Sequence, residues 1–159
     1  MSPEKEAELQ SLCPIFLRDL NGDPMQTCMA WGLEVGDGWY EPLKKAFLQV
    51  EELNKTSKAG KVIADQVKTK FGECRIYWHI EEAPGIRQNL CKDLAQEVEK
   101  IVTETESNCD ETCEICGALA KECTARWTTL CTKCEKEREG EGQRWAETGR
   151  KSPSDSDSH

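Results

Sequence analysis

The sequence lacks the segments that would direct a protein into or across a membrane. It has no positively charged start followed by an apolar stretch, which a secretory signal peptide would have. No run of residues approaches the roughly 18 apolar positions that a membrane-spanning helix needs. We therefore expect a cytoplasmic protein whose cysteines are reduced or metal-bound rather than paired in disulfides.

Signatures of the common enzyme classes are also missing. The chain has no P-loop, no dinucleotide-binding glycine fingerprint and no nucleophile-elbow motif. Histidine occurs only twice, at His79 and His159, and His79 lies beside Tyr77 on a predicted strand, where we expect a surface or packing role. The sequence therefore favours a protein without catalytic activity, and we assign no catalytic residue.

Excess positive charge is the third absence. The net charge is −9, and no long segment of the chain is basic, so non-specific attraction to a phosphate backbone has no evident source. An acidic surface keeps a protein soluble, and it would also attract a basic partner. A nucleic-acid-binding module in transcription or DNA metabolism stays open as the alternative, with a local basic face formed by Lys68, Lys70, Arg75, Arg126 and Lys133.

Cysteine, in contrast, is abundant: the chain has ten. Four of them form two C-x-x-C pairs that are separated by fourteen residues, namely Cys113, Cys116, Cys131 and Cys134. Two residues between cysteines allow a tight turn to direct both sulfur atoms at one ion, and this spacing is typical of tetrahedral zinc sites. Gly117 follows the first pair and suits a turn with positive φ. We predict one structural Zn²⁺.

The remaining cysteines leave alternatives open. Cys109 and Cys123 lie close to the two pairs and could replace one of the four ligands. A C-x-x-C pair can also be redox-active, but such a motif normally occurs once, at the start of a helix that follows a strand. The other cysteines lack ligand spacing, and we expect them to be buried free thiols: Cys13, Cys28, Cys74 and Cys91.

Apolar side chains mark two places that we expect to be packed. In the glycine-rich stretch near residue 36, aromatic side chains should point inward: Trp31, Trp39 and Tyr40. Around the predicted zinc ion, three residues should form a small apolar lid: Ile115, Trp127 and Leu130.

The stretch Gly36, Asp37, Gly38 and Trp39, called the GDGW loop below, has two interpretations. Its glycines lack the strand-to-helix context of a phosphate cradle, which favours a structural turn. A binding loop is the minority interpretation. An enzyme that uses this loop, with Asp37 in acid–base chemistry, is the second alternative function.

Hydrophobic periodicity predicts an α+β fold: a small antiparallel hairpin packed by two or three helices, with a treble-clef or zinc-ribbon-like finger. A helix from Pro3 should end or kink at Pro14, and an amphipathic helix should run from Glu41 to near Ser57. Two strands should meet at Gly72, followed by a helix over 86–107. We divide the chain into an α+β core (1–107), a finger (108–138) and a charged, disordered tail (139–159).

Three stretches together give the chain a resemblance to an uncharacterised family of small bacterial and bacteriophage proteins. The matching residues are Gly36 to Trp39, Gln66 to Lys68, Lys70 to Gly72, Arg75, Tyr77, and Cys113 to Gly117. The resemblance implies the cytoplasm of a bacterium or of an infected host cell, and it implies no activity.

Taken together, the sequence predicts an acidic zinc-binding protein that binds and modulates a host protein, with inhibition as one form of that modulation. The partner's identity does not follow from the sequence. No membrane association is expected.

Overall fold

The computed structural model describes residues 1–120 and 127–148, and within these ranges the fold is α+β, as predicted. The described ranges contain four α-helices and one antiparallel hairpin. They are α1 (Pro3–Leu12), α2 (Tyr40–Thr56), α3 (Gln88–Asp110) and α4 (Thr132–Thr148), and the strands are β1 (Gly60–Lys70) and β2 (Glu73–Glu82). Two short 3₁₀ helices, Cys28–Trp31 and Asp37–Trp39, lie between α1 and α2.

The first helix ends where proline requires it to end. The residue before a proline disfavours helical backbone geometry, and α1 stops one residue before Cys13, which precedes Pro14. Turns then carry the chain to Asn21, which adopts a positive φ of 57°. The end of α1 agrees with the helix predicted to end or kink at Pro14.

Helix α2 anchors the core through its apolar face. Leu43, Phe47 and Val50 recur every three or four residues and are all buried. The ring of Phe47 lies 5.2 Å from that of Phe16, between ring centroids. The segment after α1 is thereby packed against α2.

One carboxylate on the buried side of α2 was not singled out from the sequence. Glu51 is only 1% exposed, and its two oxygens accept hydrogen bonds from the backbone N–H groups of Ile15 (3.1 Å) and Phe16 (2.9 Å). These donors lie in the turn after α1, where no regular structure satisfies them. Glu51 therefore replaces the backbone partners that the turn lacks.

The hairpin pairs its strands around Phe71 and Gly72, with an irregularity between Ala64 and Gln66. The outer edge of β1 is extended by one residue of the preceding segment: the Glu34 N–H donates to Val67 O (3.0 Å), and the Thr69 N–H donates to Glu34 O (3.1 Å). Because a two-stranded hairpin is marginal alone, this extra pairing and the helices that cover it matter for stability.

Helix α3 packs against β2 and α2. Leu94, Val98 and Val102 form its buried stripe, and the Glu106 carboxylate accepts a hydrogen bond from the Ile76 N–H of β2 at 2.9 Å. The exposed side of α3 is strongly polar. No helix in the described ranges is long and apolar enough to cross a membrane.

Two features of the loops and the C-terminal region differ from expectation. Trp39 and Tyr40 are buried as predicted, but Trp31 is 68% exposed, because the 3₁₀ helix before Gly32 turns its side chain outward. Helix α4 continues through residues 139–148, where the sequence predicts a charged, disordered tail. The rest of that predicted tail, 149–159, lies outside the described residues.

Replacing Glu51 by alanine should destabilise the fold by about 3 kcal/mol, because the buried Phe16 N–H and the part-buried Ile15 N–H would lose their hydrogen bonds to a carboxylate. The neighbouring change Glu52→Ala is the matched control: it removes only an exposed ion pair with Lys55 and should cost less than about 1 kcal/mol. Urea unfolding of both variants measures the difference. Equal effects would show that Glu51 does not support the turn.

Candidate metal centre

The two C-x-x-C pairs are brought together in the fold. The sulfur atoms of Cys113, Cys116, Cys131 and Cys134 all lie within 4.8 Å of one another, and Cys116 Sγ lies 3.6 Å from Cys131 Sγ. A tetrahedral site with metal–sulfur bonds of about 2.3 Å would separate its sulfur atoms by about 3.8 Å. The four thiols could therefore hold one metal ion with little rearrangement.

The first pair is positioned by a tight backbone turn. The Gly117 N–H donates to Cys113 O (2.9 Å), and the Cys113 N–H donates to Ala118 O (2.7 Å). Gly117 has a φ of 76°, a conformation that a side chain disfavours, as the sequence predicted. The turn leaves Cys113 buried and Cys116 exposed.

The second pair spans the start of α4. Cys131 immediately precedes the helix, and Cys134 lies in its first turn, where the Cys134 N–H approaches Cys131 Sγ at 3.5 Å. The positive end of a helix dipole stabilises thiolate there.

The four thiols share an environment that one cation would satisfy. Burial alone would raise the pKa of Cys113, but N–H groups of Cys116, Cys131 and Ile115 outweigh it and lower that pKa to about 7. Burial, followed by the neighbouring thiols, raises the pKa of Cys134. A bound dication would stabilise the thiolate form of its sulfur ligands, whatever the separate effect of burial on each thiol.

The GDGW loop forms the surface on which the first knuckle (Cys113 to Gly117) rests. The Gly38 N–H donates to Glu114 O at 2.8 Å, and the Trp39 indole N–H donates to Thr112 O at 2.7 Å. A Cβ atom on Gly38 would lie 2.0 Å from Cys113 O, and one on Gly36 would lie 2.2 Å from Glu114 O. Glycine is needed at both positions because two backbones touch.

The charged residue of the loop is also used within the fold. Asp37 Oδ1 accepts a hydrogen bond from the Ser2 N–H at 2.7 Å, and its other oxygen lies 3.4 Å from Lys5 Nζ. These contacts, the Ser2 N–H first, hold the pKa of Asp37 below its usual range. The residues of the predicted binding loop thus contact the finger and α1.

The hairpin tip holds the finger from another side, through Glu114 and Thr129. The Thr129 hydroxyl donates to Gly72 O at 2.7 Å, and the Glu114 N–H donates to Thr129 O at 2.8 Å. The buried Glu114 carboxylate accepts hydrogen bonds from the Gly36 N–H (3.1 Å) and from the Thr69 hydroxyl. Sequence reasoning missed both residues, since neither has a motif.

The predicted lid is only partly present. Leu130 is buried beside the cysteines. Ile115 and Trp127, however, are more than half exposed. Ile115 points out of the knuckle turn, and Trp127 packs on the Phe71 ring at the hairpin tip instead.

The other cysteines that the structure describes lie outside the four-cysteine cluster. Cys109 is buried in the main core at the end of α3, where its hydrogen bond to Cys74 raises the pKa of the Cys74 thiol, so it does not join the four. Cys123, the other alternative ligand, lies outside the described residues. The expectation of buried free thiols holds for Cys13, Cys74 and Cys91, whereas Cys28 is exposed because its 3₁₀ helix lies at the surface.

The fold brings together only part of the predicted basic face. Lys68 and Arg75 face each other across the hairpin, while Lys133 lies in α4 near Glu137. Arg126 is outside the described residues. His79 is exposed and contacts Asp65 at 2.7 Å between Nδ1 and Oδ1, which fits the predicted surface role.

Comparisons with protein-family models, curated proteins and solved structures found no match for this chain. The resemblance to small bacterial and bacteriophage proteins therefore stays a prediction. Function has to be inferred from the geometry of the four-cysteine cluster and its surroundings.

The change Gly38→Ala should lower stability by about 3 kcal/mol, because the new methyl group overlaps the backbone carbonyl of Cys113 and forces the knuckle away. Gly140→Ala is the control, since a Cβ there meets nothing within 4 Å and alanine favours the α4 helix by up to about 1 kcal/mol. Thermal unfolding reports both changes. A stable Gly38→Ala protein would contradict the close packing described for this loop.

Proposed function

We propose that this chain is a zinc-stabilised, non-enzymatic interaction protein. The single observation that carries the proposal is the four-cysteine cluster, whose first knuckle is hydrogen-bonded to both the GDGW loop and the hairpin. Four thiolates are the ligand set of structural zinc sites. They would fill all four positions of the ion and leave none for water or substrate.

The zinc would then stabilise more than the finger. Glu114, between two of the ligands, bonds to Gly36 and Gly38 of the GDGW loop and to Thr69 of β1. Fixing the knuckle therefore fixes the position of these groups. Such a metal site contributes its binding free energy to folding.

Several observations support a non-enzymatic role over an enzyme that uses the GDGW loop. The glycines of the loop are in contact with finger backbone, so a substrate would have to displace the knuckle. Asp37 has a lowered pKa and an occupied carboxylate, whereas a general base works best with a pKa near neutrality. A sulfur-only ligand set adds no catalytic water.

Charge supports a protein partner. The chain carries a net charge of −9, and helix α3 has six acidic residues against two basic ones. A basic host protein would be attracted to such a surface, and a polyanion would be repelled. Together with the family resemblance, this supports an origin in a bacterium or phage and a role in modulating a host protein, for which inhibition is the simplest form.

Metal content by mass spectrometry, on protein purified without added zinc, tests the metal assignment. We expect one zinc per chain, lost together with stability in Cys113→Ser and Cys131→Ser. The control Cys28→Ser removes an exposed thiol outside the cluster and should keep the ion. Metal-free protein with its thiols oxidised in pairs would overturn the assignment in favour of a redox role.

A gel shift with duplex DNA at low and high salt tests the alternative of a nucleic-acid-binding module. We expect no shift even at low salt, because the overall charge opposes binding. A shift that disappears as salt rises and is weakened by Lys68→Gln would favour the alternative, for which the Lys68–Arg75 pair is the structural support.

A further inference from the structure

Two large aromatic side chains are held in solvent where the hairpin meets the finger. Phe71 is 66% exposed and Trp127 is 67% exposed. Their ring centroids lie 4.8 Å apart, with an angle of 55° between the ring planes. Adjacent exposed aromatic rings are unusual on a protein surface and are a frequent feature of binding sites. We call these two side chains the aromatic pair.

The backbone holds both rings outward at a cost. Phe71 has a φ of 55° and Trp127 a φ of 58°, a left-handed conformation that costs a bulky residue roughly 1–2 kcal/mol. The hydrogen bond from the Thr129 hydroxyl to Gly72 O (2.7 Å) ties the two turns together. Strained backbone of this kind occurs preferentially at functional sites.

One cation lies over the Phe71 ring, and a second is bonded to the residue that follows Trp127. Lys70 Nζ is 5.8 Å from the centroid of the Phe71 ring. On the finger side, Arg138 Nη1 donates to the Thr128 hydroxyl at 3.0 Å, one residue from Trp127. In a chain with a net charge of −9, this places cations beside the most exposed apolar feature of the junction.

We propose that the aromatic pair is a docking site for an extended segment of a partner protein, in which an apolar or aromatic anchor residue is flanked by carboxylates. The proposal rests on the interaction role proposed above and concerns one segment of the partner, whose local carboxylates are compatible with a protein that is basic overall. The anchor would pack on the two rings, and the carboxylates would meet Lys70 and Arg138. Aromatic and arginine side chains are the usual sources of binding energy at such interfaces.

The geometry favours a protein segment over single-stranded nucleic acid. Successive bases stack parallel to one another, so two rings inclined at 55° cannot both receive neighbouring bases of one stack. The net charge of −9 also repels a polyanion at longer range. A segment with a few carboxylates is repelled much less, because its carboxylates contact the two cations directly. The more distant negative charges of the chain are screened by salt beyond about 8 Å.

The test is a selection of random twelve-residue displayed peptides against zinc-loaded protein, followed by calorimetric titration of the best peptide. We expect enriched sequences that contain Phe, Trp, Leu or Ile next to Asp or Glu. Phe71→Ala and Trp127→Ala should each weaken the binding of that peptide at least tenfold. Trp31→Ala is the matched control, because it removes an equally exposed tryptophan elsewhere and should bind as the wild type does.

Lys70→Gln is the second variant, since it changes an exposed side chain and leaves both rings in place. It should weaken binding about threefold and reduce its salt dependence. The zinc content and melting temperature of every variant are measured in the same samples. A variant that loses peptide binding but keeps its zinc and its melting temperature tests the aromatic pair alone. Wild-type protein that holds no zinc would instead contradict the metal proposal.

Four outcomes would overturn the proposal. The selection enriches no peptide above background, or the enriched peptides bind both alanine variants as tightly as the wild type. The oligonucleotide (dT)₁₂ binds the aromatic pair and displaces the peptide. Sedimentation shows a dimer that Trp127→Ala dissociates, in which case a second copy of the chain occupies the site.

Discussion

The close approach of the GDGW loop to the first cysteine knuckle is the contact on which the rest of the arrangement depends. At Gly38 and Gly36 the loop backbone touches the backbone of Cys113 and Glu114 so closely that no side chain fits between them. The Trp39 indole and the Glu114 carboxylate complete the contact. A finger of this size buries little apolar area of its own, so its position is determined by these hydrogen bonds and by the ligands of the proposed ion.

The residues that stabilise the structure and the residues offered to a partner are different sets. Glu114, Thr129 and the glycines of the loop are buried against the core or covered by the knuckle, and they account for how the finger is attached. Phe71 and Trp127 are built into the same junction but face outward. A metal that fixes the junction would therefore also fix the relative position of the two rings, which links the proposed structural ion to the proposed binding surface.

Sequence patterns predicted the regular elements and the cysteine cluster because both depend on local spacing. Hydrophobic periodicity is sufficient to locate α2, the hairpin and α3, and C-x-x-C spacing identifies four sulfur atoms. These local patterns did not predict that Trp31, Ile115 and Trp127 face solvent. The burial of a loop residue is decided by contacts with residues that are distant in sequence. Glu51 and Glu114 were missed for the same reason: their partners lie 35–36 and 78 residues away.

Amide hydrogen exchange with and without a strong metal chelator tests most directly whether the cysteine cluster holds the GDGW loop in place. The Gly38 N–H donates to Glu114 O, and the Glu114 N–H donates to Thr129 O. Both amides should exchange much faster once the metal is removed. The Val62 amide, which donates to Asn54 in the core at 2.7 Å, should keep its protection as an internal reference. Unchanged protection at Gly38 and Glu114 after chelation would contradict a structural role for the metal.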